Sequence, residues 1–523
     1  MMGRRVSFHG RILMLGCGSV ARCTLPLVLK HLPVPCDRIT VLDMVDCRGA
    51  LEAYLERGLH FVQEQIVPGR MAEQLARHAG PGDLIIDLAW NIGCTDLLTW
   101  CHENDVLYIN TSVELWDPYS GAAEQPPQDR TLYVRHMEIR RLIDGWRGRP
   151  GVTAVLEHGA NPGLVSHFTK QALIDIADAL LEKNPNDPRR AQLEKYRHER
   201  QFQHLAHLLG VKVIHVSERD TQISDTPKRR NEFVNTWSVE GFYEEGTSPA
   251  EMGWGTHEQT LPADACTHVG RGGPENQICL RRFGIDTFVH SRVPSSDILG
   301  MVVRHGEAFT ISDALTVRDD EGLAIYRPTV HYAYQPCPDA QRSLNELRRR
   351  NYKMPRGERI MRDEIVSGVD ELGVLLMGHD FRSWWTGTIL DINRARKLVP
   401  GQNATTLQVA ASVVSAVQWM IRHPRAGVLV PDQLPHEEIL AVADPYLGEV
   451  VSRELDWLPP ASRKAVASGK LADTDPAVWQ FGKFLTATQK PLAVPASEET
   501  APATKRRPPR RIAPSKQLTG TET

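Results

Sequence analysis

Three small residues follow a short apolar run near the start of the chain. The segment Arg11 to Ala21 reads RILMLGCGSVA, so Gly16, Gly18 and Ala21 have the spacing of the dinucleotide-binding pattern GxGxxG/A. In this pattern the first glycine permits a tight turn, the second lets backbone approach a pyrophosphate, and the third small residue lets helix pack on strand. The candidate dinucleotide-binding residues are Gly16, Gly18, Ser19 and Val20.

An acidic residue follows the second apolar segment. Residues 12–15 are predicted to form a buried strand and residues 20–30 a helix, and a second strand, RITVL at 38–42, leads to Asp43. An acid at this place accepts hydrogen bonds from the adenosine ribose hydroxyls, and its charge repels a 2′-phosphate. The pattern therefore favours NAD over NADP. The alternative is a glycine-rich turn that binds no ligand.

The rhythm of strands and helices continues to about residue 157. Strands are predicted at 59–63, 83–88, 106–110 and 152–157, and helices at 71–78, 96–103 and 133–146. This alternation is typical of a doubly wound parallel sheet, in which ligands bind beyond the carboxyl ends of the strands. Candidates for contact with the nicotinamide half of the cofactor are Asn91 and Thr111, and the alternative for each is an ordinary loop residue. Asn110, at the end of the fifth strand, is a further candidate for cofactor binding.

The turn HGANPGLV at 158–165 joins the last of these strands to a helix predicted at 164–181. Asn161 is predicted to cap that helix and Pro162 to occupy its first position. Capping alone would explain Asn161. A residue at a strand's carboxyl end can also direct its amide toward a bound nicotinamide.

Residues from about 183 to 400 have a different texture, with short predicted strands such as 211–216 and 308–310 and few long helices. Trp237 stands between valines with Glu244 and Glu245 close behind, a composition that suits a cation held between carboxylates and a π-face. Taken singly, such residues are more often solvated surface or salt bridges. The further polar candidates in this region are Glu218, His305 and Asp370.

Composition excludes several function classes. The 523 residues carry a net charge of −3, which implies neither a nucleic-acid nor a membrane partner. Nine cysteines without a CxxC pair favour reduced thiols in the cytoplasm, and no metal site is expected. The apolar segment 404–421 contains Gln408, Ser412 and Gln418, so a buried helix is predicted there rather than a membrane span.

Several longer segments resemble the bacterial homospermidine synthases, NAD-dependent relatives of the saccharopine dehydrogenase group. They run in the family's order from about residue 10 to about residue 480, and NTWSVEGF and GANPG followed by LVS are specific to the family. The matching segments include LGCGSVARCTLPL, YINTSVELWDPY, EHGANPGLVSHFTKQAL, GVKVIHVSERDTQ, YRPTVHYAYQPC, EIVSGVDELGVLLMGH and GQNATTLQVAASVV.

The resemblance implies a reaction without net redox change. NAD takes a hydride from the carbon beside one amine of putrescine, a second putrescine displaces ammonia from the imine, and return of the hydride gives homospermidine. Spermidine or other diamines can enter the same acidic cleft. The resemblance also implies a homodimer.

The resemblance assigns roles to the polar candidates. Trp237 would stack on the cationic intermediate, with Glu218 and Asn161 holding the amine near the nicotinamide and His305 as a polar partner. Glu114, Glu245 and Asp370 would receive the more distant ammonium groups. The chain departs from at least one relative at Asn91, where an acidic residue that contacts the inner amine is implied. A neutral amide there weakens the electrostatic hold on that amine.

Two other function classes stay open from the sequence. A net oxidoreductase of the saccharopine or carboxyspermidine dehydrogenase type would share the fold but would need basic residues for a carboxylated substrate. A non-catalytic NAD-binding sensor would need no tryptophan among acids. The predicted organisation is a Rossmann NAD-binding domain at 1–160, a mixed α+β substrate and dimerisation domain at 161–490 whose last helices can return to the first domain, and a disordered tail at 491–523.

Overall fold

The computed structural model describes residues 6–122, 124–146, 151–270 and 273–486 of the chain. The tail predicted at 491–523 lies outside the described residues. Two large sheets dominate the described part: a parallel sheet formed mainly by the first 155 residues and a ten-stranded mixed sheet formed by residues 213–454.

The first sheet is doubly wound, as predicted. Its strands lie in the spatial order β6-β5-β4-β1-β2-β3, and every pairing among them is parallel. The strands are β1 (Ile12–Leu15), β2 (Ile39–Asp43), β3 (His60–Gln63), β4 (Leu84–Asp87), β5 (Leu107–Asn110) and β6 (Ala154–Val155). Because β1 lies at the centre, with β4 on one side and β2 on the other, the connections run in both directions from it. This is the crevice where such sheets bind ligands.

Five helices accompany this sheet: α1 (Ser19–His31), α2 (Arg48–Leu55), α3 (Met71–Ala76), α4 (Cys94–Glu103) and α5 (Leu132–Gly145). The turn from β1 into α1 requires glycine at position 16. Its φ of +85° is unfavourable for other residues, and a Cβ there would lie 2.7 Å from the Leu88 carbonyl oxygen. The glycine turn therefore meets the end of β4 at close range.

The second domain has a sheet whose spatial order is β11-β12-β10-β17-β7-β20-β21-β23, with a β13–β14 hairpin attached to β17. These strands are β7 (Val213–Asp220), β10 (Pro249–Gly253), β11 (Ala265–Thr267), β12 (Gln277–Phe283), β13 (Phe288–Val293), β14 (Ser296–Met301), β17 (Thr329–Gln335), β20 (Val369–Met377), β21 (Ser383–Asp391) and β23 (Glu449–Glu454). Small two-stranded sheets contain β8 (Ile223–Ser224), β9 (Glu232–Asn235), β15 (Val317–Arg318), β16 (Ala324–Tyr326), β18 (Gly357–Ile360) and β19 (Ile365–Ser367). The mixed sheet confirms the predicted α+β character.

The helices of this domain are α6 (Leu164–Lys183), α7 (Arg190–His198), α8 (Phe202–Leu209), α9 (Val239–Gly246), α10 (Glu307–Ala314), α11 (Pro338–Arg349), α12 (Ile392–Leu398), α13 (Ala404–Arg422), α14 (His436–Ala443) and α15 (Pro460–Ala467). The strand predicted at 308–310 is wrong, because those residues belong to α10. Its first six residues are all buried, so the helix lacks the amphipathic period that would identify it in the sequence.

The chain returns to the first domain after residue 403. Helix α13 packs against α1, and a strand β22 (Val428–Leu429) extends the first sheet by pairing with β6 in parallel. Among the described residues, α13 is the one helix with the length and apolarity of a membrane span, and 89% of that stretch is buried inside the protein. The predicted buried helix is confirmed.

Buried charges join the two domains. Arg135 of α5 donates to Glu244 of α9 at 2.8 Å, and Arg304, which follows β14, donates to the same carboxylate oxygen at 2.5 Å. Burial alone would raise the pKa of Glu244, but the two guanidinium groups outweigh it and hold that pKa at about 2. Glu251 of β10 accepts from the backbone N–H of Leu132 and Tyr133, so it caps α5 from the second domain.

We predict that Glu244→Gln lowers the free energy of unfolding by about 3 kcal/mol at neutral pH, because it leaves two buried guanidinium groups without a counter-charge. Chemical denaturation measures this loss. A lowered native pKa stabilises the fold above the carboxyl's ordinary value of 4.5 and ceases to do so as the pH falls toward about 2. The difference between the parent and the variant should therefore narrow below pH 4.5.

The control is Glu182→Gln, which changes an exposed acid at the end of α6 and should alter stability by less than about 0.5 kcal/mol. Equal stability of the Glu244 variant and the parent would contradict the role of this charge cluster.

Candidate active site

A cleft of about 960 Å³, partly open to solvent, lies where the carboxyl ends of β4 and β5 face the second domain. On the first-domain side the lining residues are Val20, Asp87, Leu88, Ala89, Trp90, Thr111, Ser112 and Glu114, followed by the turn Gly159, Ala160, Asn161 and Pro162. The opposite side consists of Glu218, Trp237, Ser238, Gly241, Glu245, His305 and Tyr332, together with Thr405 and Val409 of α13. Most of the predicted site residues therefore meet in one cavity.

The glycine turn has the features of a phosphate site. A Cβ at Gly18 would project into open space, so the backbone there is accessible to a ligand. Ser19 begins α1, and its buried hydroxyl has no hydrogen-bond partner. Val20 and Thr111 line the cleft, so the turn is continuous with it.

Asp43 stands at the end of β2 beside this turn. Its Oδ2 accepts from the Cys17 backbone N–H at 2.6 Å, and its Oδ1 accepts from the Val45 N–H at 2.8 Å. The carboxylate is only partly buried, and each oxygen can accept a second hydrogen bond. Asp43 therefore fixes the glycine turn and can still receive a hydroxyl pair from a ligand.

The predicted cofactor-binding residues Asn110 and Asn91 do not line the cleft. Asn110 is buried, its Oδ1 accepts from the Glu157 N–H at 2.8 Å, and its Nδ2 contacts Cys94 and Tyr108. The amide joins β5 to the segment that follows β6, and the cofactor contact of Asn110 stays a prediction. Asn91, at a φ of +60°, follows Trp90 but is not itself a lining residue, and its buried Oδ1 has no partner.

Asn161 is not a helix cap. Helix α6 begins at Leu164 with Gly163 at its N-cap position, because Gly163 closes the turn against Gly159 at a φ of +132°. The predicted capping role of Asn161 and the predicted helical position of Pro162 are therefore wrong. Asn161 instead donates from Nδ2 to Glu218 Oε2 at 2.8 Å across the cleft.

Glu218 is a buried carboxylate held by neutral donors. Besides Asn161, the Tyr332 hydroxyl donates to its Oε2. Burial, followed by the charge of Asp220 two residues away, raises the pKa of Glu218 to about 7, although the two hydrogen bonds act in the opposite direction. The group is therefore poised between its neutral and charged forms near neutral pH.

Trp237 lines the cleft with one part of its ring and packs with the rest. Its Nε1 donates to the Tyr334 hydroxyl at 3.1 Å, and its ring lies 5.2 Å from the Phe242 ring. A Cβ on Gly241 would touch its six-membered ring at 3.4 Å. The indole is thus partly exposed in the cavity and supported from behind, an arrangement that can present a π-face to a cation.

His305 lies between two acids. Its Nε2 donates to Glu245 Oε2 at 3.1 Å, and its Nδ1 lies 3.3 Å from Glu307 Oε1. Burial alone would lower the pKa of His305, but the two carboxylates outweigh it and raise that pKa well above the usual value. His305 is therefore an imidazolium at neutral pH and a proton donor at the cleft wall.

Glu114 and Asp370 occupy different depths. Glu114 lines the cleft, and burial, followed by the charge of Glu244, raises its pKa to about 8. Asp370 is fully buried behind the wall, and its Oδ2 accepts from Thr405 Oγ1 at 2.6 Å. Thr405, rather than Asp370, lines the cleft, and the contact of Asp370 with substrate stays a prediction.

Sequence reasoning did not identify Tyr332 and Thr405 as lining residues. Tyr332 belongs to the alternating segment HYAYQ of β17, and alternation reveals a common face but not the acid that the face meets. Thr405 lies in the first turn of α13, whose signal in the sequence is apolar burial. Both contacts are made between segments more than 30 residues apart, which pattern reading cannot pair.

Comparison with known proteins identifies the architecture. The model of the saccharopine dehydrogenase NADP binding domain matches residues 12–155, and that of the saccharopine dehydrogenase C-terminal domain matches residues 159–455. The fold and the cleft thus define a two-domain protein of the saccharopine dehydrogenase type.

Full-length relatives narrow this class. Homospermidine synthase from Blastochloris viridis is 39% identical over 91% of this chain and 97% of its own length, and that from Mesorhizobium japonicum is 40% identical over 91% and 96%. The crystal structure of homospermidine synthase from Legionella pneumophila in complex with NAD superposes with a TM-score of 0.80 at 36% identity, covering 92% of this chain and 99% of that one. The chain belongs to the homospermidine synthase family, an enzyme family, and the predicted resemblance is confirmed.

Gly306 tests the packing beside His305. A Cβ there would lie 1.9 Å from Glu157 Oε2, which accepts from His136 Nε2 at 2.9 Å and cannot easily move away. We predict that Gly306→Ala costs about 1–3 kcal/mol of stability through overpacking, measured by chemical denaturation. The control is Gly145→Ala at the end of α5, where a Cβ meets open space and stability should hold or rise slightly. A Gly306 variant as stable as the parent would show that Glu157 can be displaced.

Proposed function

We propose that this enzyme is an NAD-dependent homospermidine synthase that acts on putrescine. Two putrescine molecules become one homospermidine and one ammonia, so the atoms balance without a net oxidant. The observation that carries the proposal is the composition of the cleft, where Glu218, Glu245 and the Trp237 ring surround one cavity. Carboxylates and a π-face stabilise ammonium and iminium charge in a site shielded from water.

The residues of the first domain fit NAD. The unpartnered Ser19 hydroxyl and the open side of Gly18 suit the pyrophosphate, and Asp43 suits the ribose hydroxyls. The Asp43 carboxylate also disfavours a 2′-phosphate, so NAD is favoured over NADP. When bound, NAD supplies the acceptor and donor of hydride for the carbon beside the reacting amine.

Glu218 and Asn161 hold the reacting amine. Glu218 has hydrogen bonds from neutral donors and no ion pair with an arginine or lysine among the described residues, so its charge is available for an ammonium group. Its pKa of about 7 also allows it to accept a proton from an amine that must become neutral before it reacts. The Asn161 side-chain oxygen is free to accept an N–H from the same amine.

The remaining lining residues orient the chain of the diamine. Trp237 stabilises positive charge along the carbon chain, and Glu114 and Glu245 receive the distant ammonium groups. His305, protonated between Glu245 and Glu307, is placed to deliver a proton to departing ammonia. Holding both ends of a diamine fixes the reacting carbon, which accounts for much of the rate that such positioning can provide.

The cleft argues against a saccharopine or carboxyspermidine dehydrogenase activity. None of the lining residues in the described part of the chain is arginine or lysine. Among these described residues, the one cationic lining residue is His305, and its charge is already opposed by Glu245 and Glu307. Arg135 and Arg304, which line a neighbouring pocket together with Glu245 and His305, both donate to Glu244. A carboxylated amine would therefore find, among the described residues of the cleft, no cation that is not already paired with an acid.

A homodimer in the cytoplasm completes the proposal. All nine cysteines are buried free thiols, which supports a reducing compartment. Size-exclusion chromatography with light scattering tests the dimer.

The direct test of the function is a product assay. Purified enzyme is incubated with putrescine, without and with added NAD, and amines and ammonia are quantified by mass spectrometry and an ammonia assay. The proposal requires one homospermidine and one ammonia per two putrescines consumed, with no accumulation of NADH. Net NADH formation, or a product that appears only with a keto acid present, would establish the oxidoreductase alternative.

We predict a pH dependence carried by Glu218. Its neutral form dominates below its pKa of about 7, so kcat/KM for putrescine should rise from about pH 6 to pH 8, with Glu114 contributing a second limb near pH 8. Glu218→Gln should remove the limb near pH 7 and lower kcat/KM by roughly 10- to 150-fold, the equivalent of about 1.5–3 kcal/mol. Glu182→Gln should keep the parental profile. An unchanged limb in the Glu218 variant would remove Glu218 from amine binding.

We predict that Asp43→Ala weakens NAD binding by about 1.5–3 kcal/mol and narrows the preference for NAD over NADP, because charge-assisted hydrogen bonds and the anchor of the Cys17 N–H are lost together. Isothermal titration calorimetry measures both affinities. The control is Asp46→Ala, an exposed acid that pairs with Arg48 at 2.8 Å and should leave both affinities unchanged. Parental NAD affinity in the Asp43 variant would exclude Asp43 from the ribose site.

A further inference from the structure

Strand β17 carries two buried tyrosines on one face. Tyr332 and Tyr334 are two residues apart, so their side chains point to the same side of the sheet. Their rings lie 5.1 Å apart and within 9° of parallel. Strand β17 pairs with β7 on one side and with β10 and β14 on the other, so it is an interior strand of the large sheet. The backbone that carries the stacked pair is therefore held on both sides.

Tyr332 contacts Glu218 directly. Its hydroxyl donates to Glu218 Oε2, the same oxygen that accepts from Asn161 Nδ2. The centroid of the Tyr332 ring lies 4.3 Å from that of the His305 ring. Because the Tyr332 hydroxyl and Asn161 Nδ2 both donate to Oε2, the other carboxylate oxygen of Glu218, Oε1, is left for a further partner.

Tyr334 contacts Trp237, but here the tyrosine hydroxyl is the acceptor. Its hydroxyl accepts from Trp237 Nε1 at 3.1 Å, and its ring makes an edge contact with Phe242, which also supports the indole. Tyr334 is fully buried and does not reach the cleft surface. Its hydroxyl is the only polar partner that the described residues provide for the indole N–H.

We propose that Tyr332 and Tyr334 are positioning residues that act as one stacked unit, Tyr332 setting the place of the Glu218 carboxylate and Tyr334 that of the Trp237 ring. The inference rests on the proposed function, in which an amine held by Glu218 must lie beside the face of Trp237. One rigid pair of rings then determines the spacing between the two groups. An error of about 1 Å in such spacing can cost about 100-fold in rate. A rigid tyrosine pair that keeps Glu218 and Trp237 at a fixed distance would therefore preserve the reaction rate.

Tyr334 is tested by a double-mutant cycle with Trp237. Tyr334→Phe keeps both ring contacts but removes the acceptor, and should lower kcat about 3- to 10-fold while KM for putrescine changes less than about twofold. In Trp237→Phe the phenyl ring lacks the indole N–H, so Tyr334 has no hydrogen bond to make with it. If Tyr334 acts through that N–H, the double variant should therefore be no slower than Trp237→Phe alone.

Tyr332 is tested through the pH profile. The charged and titratable groups around Glu218 are Asp220 on its own strand, Asp370 on β20, His305, and the two tyrosines of β17. Loss of the Tyr332 hydroxyl removes a bond that favours the charged carboxylate, so in Tyr332→Phe the pKa of Glu218 should rise and the limb near pH 7 should move upward. In a Glu218→Gln background, Tyr332→Phe should leave the profile unchanged.

The control is Tyr326→Phe. This tyrosine is also buried on a strand and donates to the Val211 carbonyl at 2.8 Å, away from the cleft, so kcat and the pH profile should stay parental. The proposal would be overturned if the kcat losses of Tyr334→Phe and Trp237→Phe multiply in the double variant. It would also be overturned if the limb of the pH profile near pH 7 stays in place in Tyr332→Phe. If Tyr334→Phe does not fold, Tyr334→Met, which fills irregular space, replaces it in the same cycle.

Failure of the proposed function is distinguishable in the same experiments. The parent enzyme is assayed first, and if it makes no homospermidine, the function is refuted. For Tyr332→Phe, Tyr334→Phe and Trp237→Phe, the affinity for putrescine is then measured by calorimetry at several pH values. If the parent makes homospermidine but the rate losses of Tyr334→Phe and Trp237→Phe multiply in the double variant, the positioning role alone is refuted.

Discussion

The hydrogen bonds of Glu218 to neutral donors are the interaction on which the candidate site depends. A buried carboxylate is costly unless it is paired, and Glu218 receives hydrogen bonds from Asn161 and Tyr332 but no counter-charge from an arginine or lysine of the described residues. The contrast with Glu244 is instructive, since that acid lies between two arginines and its pKa is about 2. The charge of Glu244 is neutralised by arginines of the fold, whereas Glu218 can pair with a cationic ligand.

Four segments of the chain must meet for this arrangement to exist. The turn after β6 contributes Asn161, strands β7 and β17 contribute Glu218 and Tyr332, and α13 closes the cavity with Thr405. The glycine turn at 16–18 lies beside the same cavity, since Gly16 packs against Leu88 and Val20 of the following helix lines the cleft. The return of the chain to the first domain after residue 403 holds the two halves of the cleft together.

The sequence predicts the parts of this structure that follow local rules. The glycine spacing and the alternation of strands predict the Rossmann domain and the place of its ligand, because each signal lies within about ten residues. The helix at 307–314 was not predictable, because its first six residues are all buried and show no amphipathic period. The capping role predicted for Asn161 was wrong because the tight turn places Gly163, rather than the asparagine, at the N-cap. Tyr332 and Tyr334 belong to the same class, since their partners are about 100 residues away.

The central claim is that the cleft selects doubly positive chains by charge. The most direct test is calorimetric titration of the NAD-loaded enzyme with putrescine and with 4-aminobutanoate, which has the same carbon chain but a carboxylate at one end. The account predicts measurable putrescine binding and at least about 100-fold weaker binding of 4-aminobutanoate, because like charges in such a site cost several kcal/mol. Equal affinities for the two compounds would contradict it.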